Sequence, residues 1–151
     1  MIWLLEEERT RARNATRRLY HLSFHDALTG LPNRKLFLER LAHALAQEAA
    51  GVRYVVSMVN VDRFRLLNES LGHQQADRLL AQLSDRLLHR AQRVDTVARI
   101  GADEFALLFR EEEGTSVAIP SCQQLLDRLR EPFVLGERSR LGSGRGARLR
   151  S

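Results

Sequence analysis

The sequence predicts an α+β domain, an antiparallel-containing sheet with helices, preceded by an N-terminal helix. Three observations predict it: a Val-rich run between two helical patterns, a turn-linked pair of short apolar runs, and the order helix, strand, helix, hairpin, helix. At 151 residues the chain can bury one core of useful size, and 44% apolar residues is ordinary for a globular protein.

Glu6 to Phe24 contains no Gly or Pro, is dense in Glu and Arg, and has Leu19, Leu22 and Phe24 near its end. This predicts a mostly polar helix with a thin apolar stripe, the kind that either packs against a copy of itself or frays alone. Thr29-Gly30-Leu31-Pro32 breaks the pattern, and Asn33 is placed to cap a second helix. In that helix Leu36, Phe37, Leu41, Ala44 and Leu45 recur at helical spacing to about Ala49, and Gly51 ends it. Tyr54 to Val61 reads as a buried strand. A helix from about Gln75 to Ala91 follows, with Leu79, Leu80, Leu83, Leu87 and Leu88 on its core face. Val94 to Ile100 and Phe105 to Phe109 form a hairpin, with Gly101-Ala102 suited to a type II′ turn. The last predicted element is a helix from about Ser121 to Arg130. Helices are expected to cover the sheet on one side, and the chain divides into a linker helix (1–25), a folded domain (26–136) and a basic, low-complexity tail (137–151) expected to lack order.

The formal charge is +5, but residues 137–151 hold five Arg against one Glu, so the rest is near neutral. No basic stripe of the kind that tracks a phosphate backbone is left, and a nucleic-acid partner is not expected. Cys122 is the sole cysteine, which excludes an internal disulfide. Met1 to Leu5 is too short an apolar run for a membrane span or a signal-peptide core, so a cytoplasmic location is expected. No GxxxxGK stretch is present, which removes an ordinary P-loop nucleotidase. His21 and His25 stand four apart on a helix without a third ligand nearby, the pattern of an incidental helix face.

Chemistry concentrates at the hairpin tip, where Asp103 and Glu104 are adjacent. Their mutual repulsion has to be offset either by solvent or by a cation. A solvated acidic turn and a metal site are both compatible with the tip alone.

Arg99-Ile100-Gly101-Ala102-Asp103-Glu104-Phe105 resembles the signature of the GGDEF family, the diguanylate cyclases. Two further stretches match in order: Asp26-Ala27-Leu28-Thr29-Gly30-Leu31-Pro32-Asn33-Arg34, and Val59-Asn60-Val61-Asp62-Arg63-Phe64-Arg65 continuing through Asn68, Gly72-His73 and Asp77. The resemblance runs from about Leu22 to Gly136. It implies a palm-like fold shared with nucleotide cyclases and polymerases, with the end of the first strand beside the hairpin tip. It implies condensation of two GTP into cyclic di-GMP by a homodimer, assembled through the N-terminal helix, with Mg²⁺ or Mn²⁺. The metal ligands would be position 60, the backbone of Val61, Asp103 and Glu104. Asp103 and Glu104 would be the catalytic pair, and Asn68, Asp77, Arg65, Gly101 and Ala102 would bind GTP. A sensor or a phosphodiesterase domain is an expected neighbour in a parent protein.

The sequence departs from the family pattern at positions that matter. Asn60 stands where the motif has Asp, which removes a full charge from beside a divalent ion. Ala102 replaces the second Gly of the signature, and Ala76 the Gly before Asp77. The feedback motif keeps Asp95 but has Gln92 at its partner position, so feedback binding of the dinucleotide is not expected there. After Gly136 the family continues with two central strands and a basic helix, whereas Ser139 to Arg148 has no hydrophobic periodicity and cannot supply a core strand. Three functions follow: a degenerate GTP-binding regulatory module, an active diguanylate cyclase, or an inactive product of a frameshifted gene.

Overall fold

The computed structural model describes residues 2–47, 49–91 and 93–136, and the strand backbone at 140–141 and 149–150. Helix α1 (Ile2–Phe24) starts earlier than expected and buries no side chain. Its large apolar residues lie at its two ends, and Trp3 in the first turn is 83% exposed. Among the described residues no helix is long and apolar enough to cross a membrane. Helix α2 (Arg34–Ala46) begins where expected, because the Asn33 side chain accepts a hydrogen bond from the Leu36 amide.

Strand β1 (Val52–Val61) leads into α3 (Phe64–Leu71) and α4 (His73–Arg90), then β2 (Val94–Arg99), β3 (Glu104–Glu112) and α5 (Ala118–Leu129). Short strands β4 (Phe133–Val134), β5 (Arg140–Leu141) and β6 (Leu149–Arg150) follow. Helix α3 was not expected. It is amphipathic, burying Leu67 and packing Phe64 and Leu71 against the core, and Gly72 at φ +80° turns the chain directly into α4.

The sheet order is β2-β3-β1-β6, every pair antiparallel. Phe105, Leu107 and Phe109 of β3 face α4 and α5 in the main core, with Val59 and Val61 of β1. Ala106 and Leu108 point the other way, against Phe37 and Ala44 of α2. Helices therefore cover both faces, not one as expected, and β3 is buried on both sides. Helix α2 spans only part of its face, so Val56 and Met58 of β1 remain 42% and 43% exposed.

No core strand is expected from Ser139 to Arg148, and among the described residues the tail contributes only two-residue strands at sheet edges. Two tail residues pair with β4, and Leu149–Arg150 lies antiparallel to Val61 and Asn60. Main-chain hydrogen bonding at an open edge needs no hydrophobic period. The rest of the tail, and Gln92 of the feedback motif, lie outside the described residues. Glu111 is the buried acid of the sheet. Its carboxylate accepts from the Val117 and Ala118 amides, both at 2.8 Å, and from Arg53 at 2.8 Å, which anchors the start of α5.

Candidate functional site at the hairpin tip

The end of β1 and the start of β3 meet in register: Asn60 is the direct cross-strand partner of Glu104. Directly opposed antiparallel residues project to the same face, so the Asn60 amide and the Glu104 carboxylate share one surface. The Val61 amide donates to the Asp103 carbonyl at 3.0 Å, which fixes Asp103 beside the strand end. The Val61 side chain is buried, leaving only its main chain for a ligand. Asn60, Val61, Asp103 and Glu104 are thus brought together by backbone pairing alone.

The connecting loop, residues 100–103, closes with the Ile100 and Gly101 amides both donating to the Glu104 carbonyl, at 2.9 and 3.3 Å. Gly101 is not in the left-handed region, so the expected type II′ turn is not formed. Glycine lets the Glu104 side chain approach closely there: a Cβ at 101 would lie 2.8 Å from Glu104 Oε2 and 3.2 Å from its Cβ. Because the nearer obstacle is the end of a flexible side chain, Gly101→Ala is expected to cost less than about 1 kcal/mol in a melt. A larger loss would mean that the loop backbone itself has to move.

Three residues that the sequence reading left without a role hold the loop. Asp26 accepts from the Thr29 amide and hydroxyl and from Arg99 Nη1, while Arg99 Nη2 donates to the Ala102 carbonyl at 2.7 Å. The Arg99 amide also donates to the Pro32 carbonyl at 2.9 Å. The end of α1, the start of α2 and the hairpin loop are therefore one hydrogen-bonded unit. Sequence spacing could not show this, since Asp26 and Arg99 are 73 residues apart.

Burial works against ionisation of Asp26, but hydrogen bonds from Thr29 and the Arg99 guanidinium outweigh it and hold its carboxyl below the ordinary 3.8. The Ala118 and Val117 amides, with Arg53, do the same for Glu111 against its burial. Both acids bind fewer protons folded than unfolded. The stability they confer is full above the ordinary carboxylate values and is lost as pH falls through the lower folded ones. The thermal midpoint is expected to decline below about pH 4, and Asp26→Asn to flatten that decline. An unchanged slope in Asp26→Asn would remove Asp26 as a cause.

Arg63 adopts φ +55° in the turn between β1 and α3, three residues after Asn60. A non-glycine residue there stores about 1–2 kcal/mol of strain. Nothing in an arginine signals it in sequence. Asn68 lies on α3, and its Oδ1 is buried without a hydrogen-bond partner among the described residues. Gln75 Oε1, on the first turn of α4, is likewise buried and unpartnered, and the sequence reading missed it. Asp77 is exposed on α4 two residues later. Arg65 is not drawn into the site: its side chain is 94% exposed and lies 3.5 Å from Glu69. Ala102 is exposed at the tip.

Among the described residues no three His, Cys, Asp or Glu side chains cluster as a metal cage. The donor set at the tip is two carboxylates, one amide oxygen and main chain. That set suits a hard cation that completes its shell with water and phosphate oxygens, as Mg²⁺ does, and does not suit a metal held by protein alone.

Residues 23–145 match the family described as diguanylate cyclase, GGDEF domain. The chain is 35% identical over 122 residues to the bifunctional diguanylate cyclase/cyclic di-GMP phosphodiesterase MucR of Pseudomonas aeruginosa, covering 80% of this chain and 18% of that protein. It is 33% identical over 137 residues to the diguanylate cyclase TpbB of the same species, covering 89% of this chain and 31% of TpbB. Among solved structures, a TpbB mutant comprising only the GGDEF domain aligns with a TM-score of 0.70 at 32% identity, over 83% of this chain and 71% of that one. The coiled coil and GGDEF domain of DgcB from Caulobacter crescentus, in complex with c-di-GMP, aligns with a TM-score of 0.79 over 95% of this chain and 75% of that one. At 23% identity the DgcB likeness shows the fold alone. The chain spans 18% and 31% of the lengths of MucR and TpbB.

Proposed function

The chain belongs to the GGDEF domain family of diguanylate cyclases, and from that premise we propose that it is a GTP-binding regulatory module of cyclic di-GMP signalling with little or no cyclase activity. The observation that carries the reading is the buried Asn68 Oδ1, which has no hydrogen-bond partner among the described residues. An orphaned acceptor costs about 1–3 kcal/mol, and the donor edge of a guanine supplies what it lacks. Asp77, on the next helix, would take a second guanine donor, as the family resemblance implies.

Low turnover follows from the tip. Position 60, directly across from Glu104, carries a neutral amide, and Ala102 places a methyl on the loop that approaches the nucleotide. A divalent ion, Mg²⁺ or Mn²⁺, would be held by Asp103, Glu104, the Asn60 oxygen and the Val61 main chain. When bound it would supply charge stabilisation at the α-phosphate. The protein's own part is to keep Asp103 and Glu104 at the strand end and to present the guanine acceptors. One observation favours the second reading, an active cyclase: main-chain pairing holds Asp103 and Glu104 at the end of β1, in register with Asn60 and Val61.

In the same reading residues 1–25 are a linker helix, 26–136 the GTP-binding body and 137–151 a basic tail. The unburied apolar ends of α1 would pack against a second copy, in a cytoplasmic protein that carries a sensor or phosphodiesterase domain. The test is a calorimetric melt with and without millimolar GTP and Mg²⁺, together with chromatography for the dinucleotide. GTP at 100 times its dissociation constant should add about 2.7 kcal/mol, with no dinucleotide formed. A midpoint indifferent to GTP rejects the reading, and steady accumulation of cyclic di-GMP replaces it with the second.

A further inference from the structure

Strand β1 has one edge bonded to β3 and a second edge that is open over most of its length. On the bonded edge the Val61 amide donates to the Asp103 carbonyl at 3.0 Å, and the Gly51 carbonyl accepts from the Glu113 amide at 2.6 Å, with unbroken register between them. Main-chain groups alternate sides along a strand. The odd-numbered residues of β1 therefore serve β3, and the amides and carbonyls of Tyr54, Val56 and Met58 point to the other edge. Among the described residues only Asn60 and Val61 have a strand partner there, β6. That partner lies antiparallel, so the edge already accepts an added strand of this sense.

Nothing in β1 guards the open stretch. It contains no Pro, no bulge interrupts its pairing with β3, and its one charged side chain, Arg53, is tied to Glu111 at 2.8 Å. Val56 and Met58 are exposed, with Tyr54 half-buried beside them on the same face. Unpaired main-chain groups next to exposed apolar side chains are a template for another strand. A second copy of β1 matches that template. Turned about a two-fold axis normal to the sheet, it runs antiparallel with the two Val56 residues opposed and each Tyr54 opposite the other copy's Met58. All of these residues carry their main-chain groups on the shared edge, so every pair exchanges both hydrogen bonds. Directly opposed side chains share one face, which sets valine on valine and the Met58 thioether against the Tyr54 ring, a favourable sulfur–aromatic contact. The two Arg53 residues fall at opposite ends of the ladder, so no like charges meet. Strand β6, at Asn60, bounds the ladder without entering it.

We infer that this edge of β1 is a docking surface for a second copy of the chain, in which two sheets join antiparallel through Tyr54 to Met58 with Val56 on the two-fold axis. The contact is isologous, the same patch on both copies. It uses no residue of the guanine side or of the hairpin tip, and it is separate from any packing of α1. The inference therefore goes beyond the GTP-binding reading and stands or falls without it.

The test is sedimentation of the full chain from micromolar to millimolar concentration, repeated with variants at positions 56 and 58. The unmodified chain should dimerise reversibly. Val56→Lys and Val56→Glu should each weaken the dimer about tenfold or more, because like charges would stand opposed where valines touch. An equimolar mixture of the two should restore it. Circular-dichroism melts of each variant alone check that it folds. Register is read separately in a Cys122→Ser background. Val56→Cys should give a disulfide-linked dimer under mild oxidation, since opposed hydrogen-bonded residues lie about 5.5 Å apart between Cα atoms, within disulfide reach. Met58→Cys should not, because its copy lies four positions along the ladder; this pair carries the test if a charged variant fails to fold. Tetramers that Val56→Lys reduces to dimers support the inference equally, with α1 as the second contact. A chain that stays monomeric at every concentration overturns it. So does a dimer that both charged variants keep, which would place the contact on α1, and so does equal cross-linking of the two cysteine variants.

Discussion

Arg99→Ala is expected to lower the stability of the chain by about 2–3 kcal/mol, a drop of roughly 6–10 °C in melting midpoint for a domain of this size. The guanidinium makes three side-chain hydrogen bonds, two to Asp26 and one to the Ala102 carbonyl. It does so where the Arg99 and Asp26 side chains are only 13% and 22% exposed. Truncation leaves Asp26 ionised, largely covered and served by Thr29 alone, and it leaves a loop carbonyl unpaired. Those penalties exceed the net worth of the pair itself. Arg99→Lys keeps the charge but not the fork, and should recover less than half of the loss. Circular-dichroism melts of the three proteins check this. A melt of Arg99→Ala within about 0.5 kcal/mol of the unmodified chain would show that the loop is held by its backbone bonds.

The largest expected effect on activity is a gain. Asn60→Asp places a carboxylate directly across from Glu104, and GTP condensation is expected to rise at least roughly tenfold, the scale of one well-placed charge in a metal site. The same change carries a structural signature. With Asp103 and Glu104 it sets three acids at one strand end, so the metal-free protein should lose about 0.5–1 kcal/mol of stability and regain it with Mg²⁺. A variant that neither gains turnover nor becomes Mg²⁺-dependent in its melt would show that the tip does not hold the ion.

Signals that act over a few residues were legible in the sequence, and pairings across the chain were not. The Asn33 cap is a local competition for one amide, and it sits where the residue type predicts. The Val-rich strand and the hairpin were recovered, and the resemblance set β1 beside the tip. The continuous run Phe105-Ala106-Leu107-Leu108-Phe109 already held the evidence for helices on both faces, because one-sided burial would alternate with polar residues. It was read only as a strand. Helix α3 escaped because eight residues are too few for periodicity to stand out. The turn at Gly101 was misassigned because glycine answers two needs, a positive φ and a close neighbour, and composition does not separate them. The ties from Asp26 to Arg99 depend on the fold itself, as does the orphaned oxygen of Asn68.

Trp3 is the one tryptophan of the 151 residues, and it stands in the first turn of a helix that buries nothing. Its emission is set by water both before and after the core melts. Intrinsic tryptophan fluorescence is therefore expected to stay nearly flat through a transition that circular dichroism records as cooperative. Any blue shift of that emission at rising protein concentration would report contact at the end of α1 with another molecule, a spectroscopic channel separate from the folding of the body.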